Sequence, residues 1–377
     1  MPAHILSSLH GGLRNALRLV YVILILSSAA SCSGDRITMF VGTYTGGSSE
    51  GIYVCKFDQG TGKIASPLIC GAALPNPSYL KVTPDGKRLY AVSETADSAA
   101  ALNAYAFDKV SGVLRPLSPP CPTLSQDPCY VDVCGSLAVT ANYSGGNISV
   151  FRLEPSGGVS GNGPVRIHSG FTGGPDTLRQ ATPHAHCSIF SPDGRYLLMT
   201  DFSSDRILTF SVSADSLAFV SACVLAPDYG PRHIVFANND SLAYVIGELS
   251  GTITAMKFDG GKLHPFQTVV CDTLHARGSA DIRISPDNRF LYASNRLKGD
   301  GIAVFSIAGD GSLTKKGYRD TGRHPRNIAI TPNGKYLLAA CKDDGTIQVF
   351  RRNKLTGELT YLPNDISLDS PVCIAFN

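Results

Sequence analysis

Four side chains suited to proton transfer and to holding an anion, His186, Arg232, Glu248 and Arg296, are scattered over 110 positions of a 377-residue chain. An imidazole or a carboxylate can take a proton from water, and guanidinium groups hold an oxyanion or a carboxylate through paired hydrogen bonds. Each lies in a polar cluster: Pro183-His184-Ala185-His186, Gly230-Pro231-Arg232-His233, Gly247-Glu248-Leu249 and Ser294-Asn295-Arg296. Separation along the chain gives them no reason to act together. An internal repeat does.

Seven copies of one unit run through the sequence. Each opens on a short strand, usually after proline, at Pro77, Pro128, Ala185, Pro231, Ser279, Pro325 and Pro371, in steps of 51, 57, 46, 48, 46 and 46 residues. A turn follows, clearest at Pro84-Asp85-Gly86, Pro192-Asp193-Gly194, Pro286-Asp287-Asn288 and Pro332-Asn333-Gly334. Pro and Asp preset such turns, and Gly or Asn tolerates a positive φ. Apolar second strands come next, for example at 89–94, 242–248 and 290–296, then third strands such as 148–151, 207–210 and 302–305. A Gly-x-Leu cue (Gly112, Gly311, Gly357) leads into a fourth. No helical period is evident after residue 32.

Four short strands per unit, repeated around a ring, predict an all-β, seven-bladed β-propeller of four-stranded blades. The chain ends on a lone first strand at 371–377 and begins with lone second and third strands at 38–44 and 51–57. Pairing them completes one blade, closes the ring and hides both edges. Residues 33–377 therefore read as a single propeller domain. Because Trp is absent, a docking propeller built on Trp-Asp dipeptides is disfavoured.

This register gathers the polar residues. First and second strands form a hairpin around the Pro-Asp-Gly turn, so the start of one lies beside the end of the other. Residues just after the anchors are Ser78, Cys129, His186, Arg232, Ala280, Arg326 and Val372. Those closing the second strands read as Glu94, Asn142, Phe202, Glu248, Arg296, Lys342 and Tyr44. Both sets surround one channel mouth, forming a cationic arc around a carboxylate. Pairing of Arg232 and Arg296 with Glu248 and Glu94, to fix blade packing, is the plainer reading of any single residue. The whole arc predicts a small-molecule site, with the glycine-rich insertion 155–182 bringing Arg179 and Gln180 toward His184.

The first 32 residues differ in kind. Arg14 and Arg18 precede an apolar run at 19–26, followed by small residues and Cys32. This is the pattern of an export signal, too short to span a membrane as a helix. Ala29-Ala30-Ser31-Cys32 resembles a lipobox, predicting acylation of Cys32 and a periplasmic or cell-surface lipoprotein, with plain secretion as the alternative. The membrane is then met only through this anchor. Removing the segment leaves thirty-one cations against thirty acids. Without a basic patch, nucleic acid is excluded as a partner. Of the eleven cysteines, most fall in apolar runs; Cys121, Cys129 and Cys134 are close enough for a disulfide. No cofactor is expected. A metal at His184, His186 and Asp201 is disfavoured, since two histidines spaced by two need not face one way.

Taken together, Val41-Gly42-Thr43-Tyr44-Thr45, Asn76-Pro77-Ser78-Tyr79-Leu80, Ala141-Asn142-Tyr143-Ser144-Gly145-Gly146, Arg179-Gln180, Pro183-His184-Ala185-His186, Gly230-Pro231-Arg232-His233, Glu248-Leu249, Ser294-Asn295-Arg296 and His324-Pro325-Arg326 resemble the seven-bladed propeller lactonases. That family includes 6-phosphogluconolactonases and carboxymuconate-lactonising enzymes. The resemblance spans residues 38–377 and implies a lactone hydrolase whose functional set is His186, Arg232, Glu248 and Arg296. Where members often carry Asp-Leu-Gly, this chain has Asp201-Phe202-Ser203.

For an anionic or sugar lactone, either His186 or Glu248 can serve as the base, with Arg232 and Arg296 holding the oxyanion or an anionic substituent. His184, His233, Arg179, Gln180, Arg326, Asn142 and Glu94 are the expected substrate-binding wall. Two other classes use the same set: a lactonising cycloisomerase or lyase, and a propeller that binds an anionic sugar without turning it over.

Overall fold

The computed structural model describes residues 35–171, 173–213, 216–237 and 241–377; the export segment and Cys32 lie outside them. Residues Ile37–Asn377 cluster as one compact unit. It contains seven antiparallel sheets, each a blade of the ring. In blade order the innermost strands are Pro371–Phe376, Leu80–Val82, Pro128–Cys134, Ala185–Phe190, Pro231–Phe236, Ser279–Ile284 and Pro325–Ile330. There is no α-helix among the described residues.

Ring closure occurs in the first blade. Arg36–Thr43 pairs with Pro371–Phe376, matching Met39 to Phe376 and Val41 to Ile374. Thr38 and Asn377 exchange backbone bonds of 3.3 and 2.9 Å beyond the strand. The two chain ends thus supply one blade between them, as the repeat predicts.

Burial follows position within the blade. Second strands such as Tyr336–Cys341 and Phe290–Asn295 are buried throughout, because a neighbouring blade packs on each face. They therefore read as continuous apolar runs rather than alternating ones. Outer strands such as Leu313–Asp320 are almost wholly exposed. Neighbouring blades are latched by tyrosines: Tyr90, Tyr244, Tyr292 and Tyr336 donate to the carbonyls of Gly157, Gly311, Gly357 and Gly60, at 2.7–3.0 Å.

The turns between first and second strands explain the recurring Pro-Asp-Gly. Thr83, Ser191, Ser285 and Thr331 each donate a hydroxyl hydrogen bond to the Asp or Asn two residues on, at 2.5–2.8 Å. Gly86, Gly194, Asn288 and Gly334 then take φ values of 56–69°, which Gly and Asn adopt with least strain.

At the opposite rim, one backbone bond repeats in all seven blades. The N–H groups of Tyr44, Glu94, Tyr143, Phe202, Glu248, Arg296 and Lys342 donate to Ser370, Asn76, Asp127, His184, Gly230, Gly278 and His324, at 2.8–3.2 Å. This bond fixes the register of the mouth. It also corrects the third blade: Tyr143, not Asn142, holds the rim position. That blade turns at Cys134-Gly135-Ser136 without a Pro-Asp-Gly, and counting eight residues from Gly135 gives Tyr143.

Among the described residues all cysteines are free thiols, Cys121, Cys129 and Cys134 included. The disulfide allowed by their sequence spacing does not form.

Candidate functional site

Side chains reach the channel through β-bulges. Register shifts skip Cys129 in the third blade, His186 in the fourth and Arg326 in the seventh. Wider shifts skip Arg232-His233 and Ala280-Asp281. A bulge turns a residue out of the alternation and can re-aim its side chain. The residues just after the anchors are thus turned toward the channel, while the rim residues arrive at strand ends. Tyr44, Glu94, Cys129, Tyr143, Arg179, His186, Glu248, Arg296 and Arg326 line a cavity of about 290 Å³.

Glu248 is the hub. Its Oε1 accepts from Arg179 Nη2 at 2.6 Å, and its Oε2 lies 2.9 Å from Arg232 Nε and 3.2 Å from Arg296 Nη2. The Arg232 contact is an ion pair rather than a hydrogen bond, since the Nε–H finds no aligned acceptor. Burial alone would raise the Glu248 pKa, but Arg296, Arg232 and Arg179 outweigh it and hold the group at about 2. Arg232 is 2% exposed and anchored to the Ala280 carbonyl at 2.7 Å. It lines the small space beneath the mouth, so it acts through its field rather than by reaching into the upper cavity. Arg296 donates from Nε to the Gly278 carbonyl at 2.8 Å and turns Nη1 toward His324. Blade packing through Arg232 and Arg296 therefore runs to Glu248 from both sides, not to Glu94.

His186 is buried between Tyr143 and His233, whose rings meet it edge-on at 5.5 and 5.3 Å. Cys129 Sγ lies 3.8 Å from its Nδ1 and donates to its carbonyl at 3.4 Å. Burial, then the charges of Arg232 and Arg326, pushes the imidazole pKa well below 6.5. His186 is therefore neutral at physiological pH. His233 is likewise held at about 4, chiefly by burial, although Asp281 Oδ1 accepts its Nδ1 at 2.8 Å.

The insertion expected to approach His184 does more than approach. Gln180 is fully buried, donating to the Phe202 carbonyl at 2.9 Å and to Asp205 Oδ1 at 2.7 Å. Asp176 pairs with Arg277 at 2.5 Å, and Arg277 with Asp228 at 2.6 Å. These bonds pin the loop over the mouth and aim Arg179 at Glu248. Gln180 is thus a fastening inside the loop and does not line the cavity.

Other expected wall residues sort the same way. His184 stacks on Tyr143 with ring centroids 4.1 Å apart and donates from Nδ1 to the Tyr143 carbonyl at 2.9 Å, so it props the wall from behind. Asn142 is buried and bonded to Asn147 and Ser149 within its own blade. His233 lies beneath the mouth with Arg232. Asp201 accepts from Ser203 and Ser204 in the adjoining turn. Tyr44 and Cys129, which the repeat sets at the mouth without a role, line the cavity, and so does Tyr143, which the sequence reading missed and the rim position of the third blade identifies.

On the far wall, Tyr44 donates its hydroxyl to Glu94 Oε1 at 2.9 Å. Arg326 lies over the Tyr44 ring at 5.3 Å, with Nη2 3.8 Å from the same carboxylate oxygen. Four guanidinium groups thus face two carboxylates, and the mouth favours an anion or a developing negative charge. A larger groove of about 720 Å³, lined by residues such as Arg289, Lys316, Tyr318 and Leu355, lies out among the third and fourth strands. It gathers no comparable cluster of buried charge.

Comparison with known proteins agrees with this architecture. The family profile described as "Lactonase, 7-bladed beta-propeller" matches residues 38–376. The 6-phosphogluconolactonase of Bacillus subtilis (strain 168) is 33% identical over 348 residues, covering 89% of this chain and 97% of that protein. A Bacteroides uniformis crystal structure, provisionally named a 6-phosphogluconolactonase, is 51% identical with a TM-score of 0.87, covering 91% of this chain and all of the other. The periplasmic gluconolactonase of Pseudomonas aeruginosa is 30% identical with a TM-score of 0.84, covering 90% and 99%. With the blade register, the mouth geometry and the matched profile in agreement, this chain belongs to the seven-bladed β-propeller lactonase family.

Proposed function

We propose that the protein is a lactone hydrolase, a carboxylic-ester hydrolase resembling 6-phosphogluconolactonase, which opens a sugar-acid lactone at the channel mouth. The observation that carries this reading is the pairing of a neutral, buried imidazole with a cluster of guanidinium groups in one cavity. Ring opening needs a base for water, donors for the oxyanion and a proton for the leaving alkoxide. His186 supplies the base: it takes a proton from water as the oxygen attacks the carbonyl carbon. Arg296 stands at the cavity wall for the oxyanion, with Arg232 adding positive potential from below. The ring C–O bond then breaks, and the imidazolium returns its proton to the alkoxide, leaving a hydroxy acid.

Glu248 is poorly suited to be the base. A carboxylate held at about 2 by three arginines has little affinity for a proton near neutral pH. Its role is to gather and orient the guanidinium groups. Purified protein assayed against a panel of lactones, with identification of the ring-opened acid, tests the reading. Turnover of a sugar lactone that falls in His186→Ala supports it, and no hydrolysis of any lactone overturns it.

Export is proposed on two grounds: the sequence of residues 1–32, and the periplasmic description of the Pseudomonas aeruginosa relative. Mass spectrometry of the membrane fraction should find a lipid adduct on Cys32 and no peptide preceding it. Intact peptides from Met1 would contradict this.

A further inference from the structure

Of the four arginines at the mouth, Arg326 alone makes no hydrogen bond to a protein acceptor among the described residues. Arg179 donates to Glu248, Arg232 to the Ala280 carbonyl and Arg296 to the Gly278 carbonyl. Arg326 has only a 3.8 Å approach to Glu94 and its placement over the Tyr44 ring. Its side chain is 17% exposed, and it borders both the upper cavity and the small space beneath it. Beside it, Glu94 Oε1 takes the Tyr44 hydroxyl, whereas no protein donor reaches the buried Oε2. Leaving such an acceptor unpaired is costly, so a donor supplied by a ligand is favoured there.

Position in the ring sets this pair opposite the proposed base. Tyr44, Glu94 and Arg326 come from the first, second and seventh blades, and His186, Arg232 and Glu248 from the fourth and fifth, with Arg296 of the sixth blade between the two groups. A lactone with its carbonyl at His186 extends its far end toward Glu94 and Arg326. That end meets a cation with unused N–H groups beside a carboxylate with an unused oxygen. A hydroxyl satisfies both, donating to Glu94 Oε2 and accepting from Arg326. A phosphate cannot donate in its ionised form, and its charge of nearly two at neutral pH would be set against the carboxylate.

We infer that Glu94 and Arg326 form a hydroxyl-reading pair at the far end of the cavity, and that they make an unphosphorylated polyhydroxy lactone the preferred substrate over its 6-phosphorylated counterpart. This rests on the lactone-hydrolase reading above. It adds a specificity determinant outside the His186, Arg232, Glu248 and Arg296 set.

The test measures initial rates, above spontaneous opening, on glucono-1,5-lactone and 6-phosphoglucono-1,5-lactone. Wild type is expected to show a kcat/KM at least about 10-fold higher on the unphosphorylated lactone, the scale of one buried hydrogen-bond mismatch. Glu94→Gln removes the negative charge and should narrow or reverse that ratio by about 10-fold; Arg326→Ala should lower kcat/KM on both. Preference of wild type for the phosphorylated lactone, or a ratio unmoved in Glu94→Gln, overturns the inference and leaves the lactonase reading intact. Absence of hydrolysis on either lactone removes both. If Glu94→Gln does not fold, calorimetry on wild type decides: tighter binding of gluconate than of 6-phosphogluconate supports the pair, and the reverse order overturns it.

Discussion

Arg179 Nη2 lies 2.6 Å from Glu248 Oε1, joining residues 69 positions apart. This contact makes the insertion part of the site rather than a decoration on the rim. It also completes the set of three cations that hold Glu248 ionised.

Arg179→Ala should lower kcat/KM by about 10- to 100-fold, because the remaining arginines lose their fixed spacing around the carboxylate. The loop itself should stay in place, since Gln180 and Asp176 fasten it independently. Steady-state kinetics beside a thermal melt checks this: activity should fall while the melting temperature stays near that of wild type. Lys342→Ala, at an equivalent rim position but paired with Asp343, should do far less.

His186→Ala should reduce turnover by roughly 10²–10⁴-fold if the imidazole is the general base. The pH profile gives a second readout. A base acts in its unprotonated form, and His186 is held well below 6.5 by burial and by Arg232. The acid limb of kcat/KM should therefore lie well below pH 6.5, with a flat profile from there to neutrality. A half-maximal rate at pH 6.5 would show an ordinary imidazole and contradict the assignment.

Glu248→Gln should destabilise the fold by about 3–5 kcal/mol, since it leaves buried guanidinium groups without their counter-ion. Acid should have a related effect, in two stages. His233 and His324 sit at about 4 when folded, below the unfolded value near 6.5. The unfolded chain binds those protons first, so stability falls as pH drops from about 6.5 to 4. Glu248 and Asp281 sit at about 2 when folded, so their contribution is present above about 4.3 and lost on further acidification. Denaturant unfolding at pH 7, 5.5 and 4 should show a steady decline; equal stability at pH 7 and 4 would contradict it.

Deleting residues 370–377 should abolish cooperative folding. It strips the inner strand from the first blade and the acceptor for the Tyr44 N–H. It also removes the 2.8 Å bond from Ile374 to Asn327 and the 2.6 Å bond from Asn377 to Gly86, both reaching neighbouring blades. A truncated protein melting within a degree or two of full length would sink the closure.

Much of this was legible in the sequence because a propeller is a repeat. The spacing of Pro-Asp-Gly turns and anchor residues sets the register of every hairpin, and register sets which residues reach the rim. That alone places Glu94, Glu248, Arg296, His186, Arg232 and Arg326 around one mouth. It failed at Asn142, where a turn without proline hid the reference point, and Tyr143 took the position instead. Partner choice was not legible. Arg232 and Arg296 converge on Glu248 while Arg326 turns to Glu94 and Tyr44. Gln180 turns inward to fasten its loop, and His184 supports Tyr143 from behind. Those outcomes depend on bulges that re-aim single side chains and on an insertion packing across three blades. Neither follows the repeat's period, so only the tertiary structure decided which charges meet and which face the cavity.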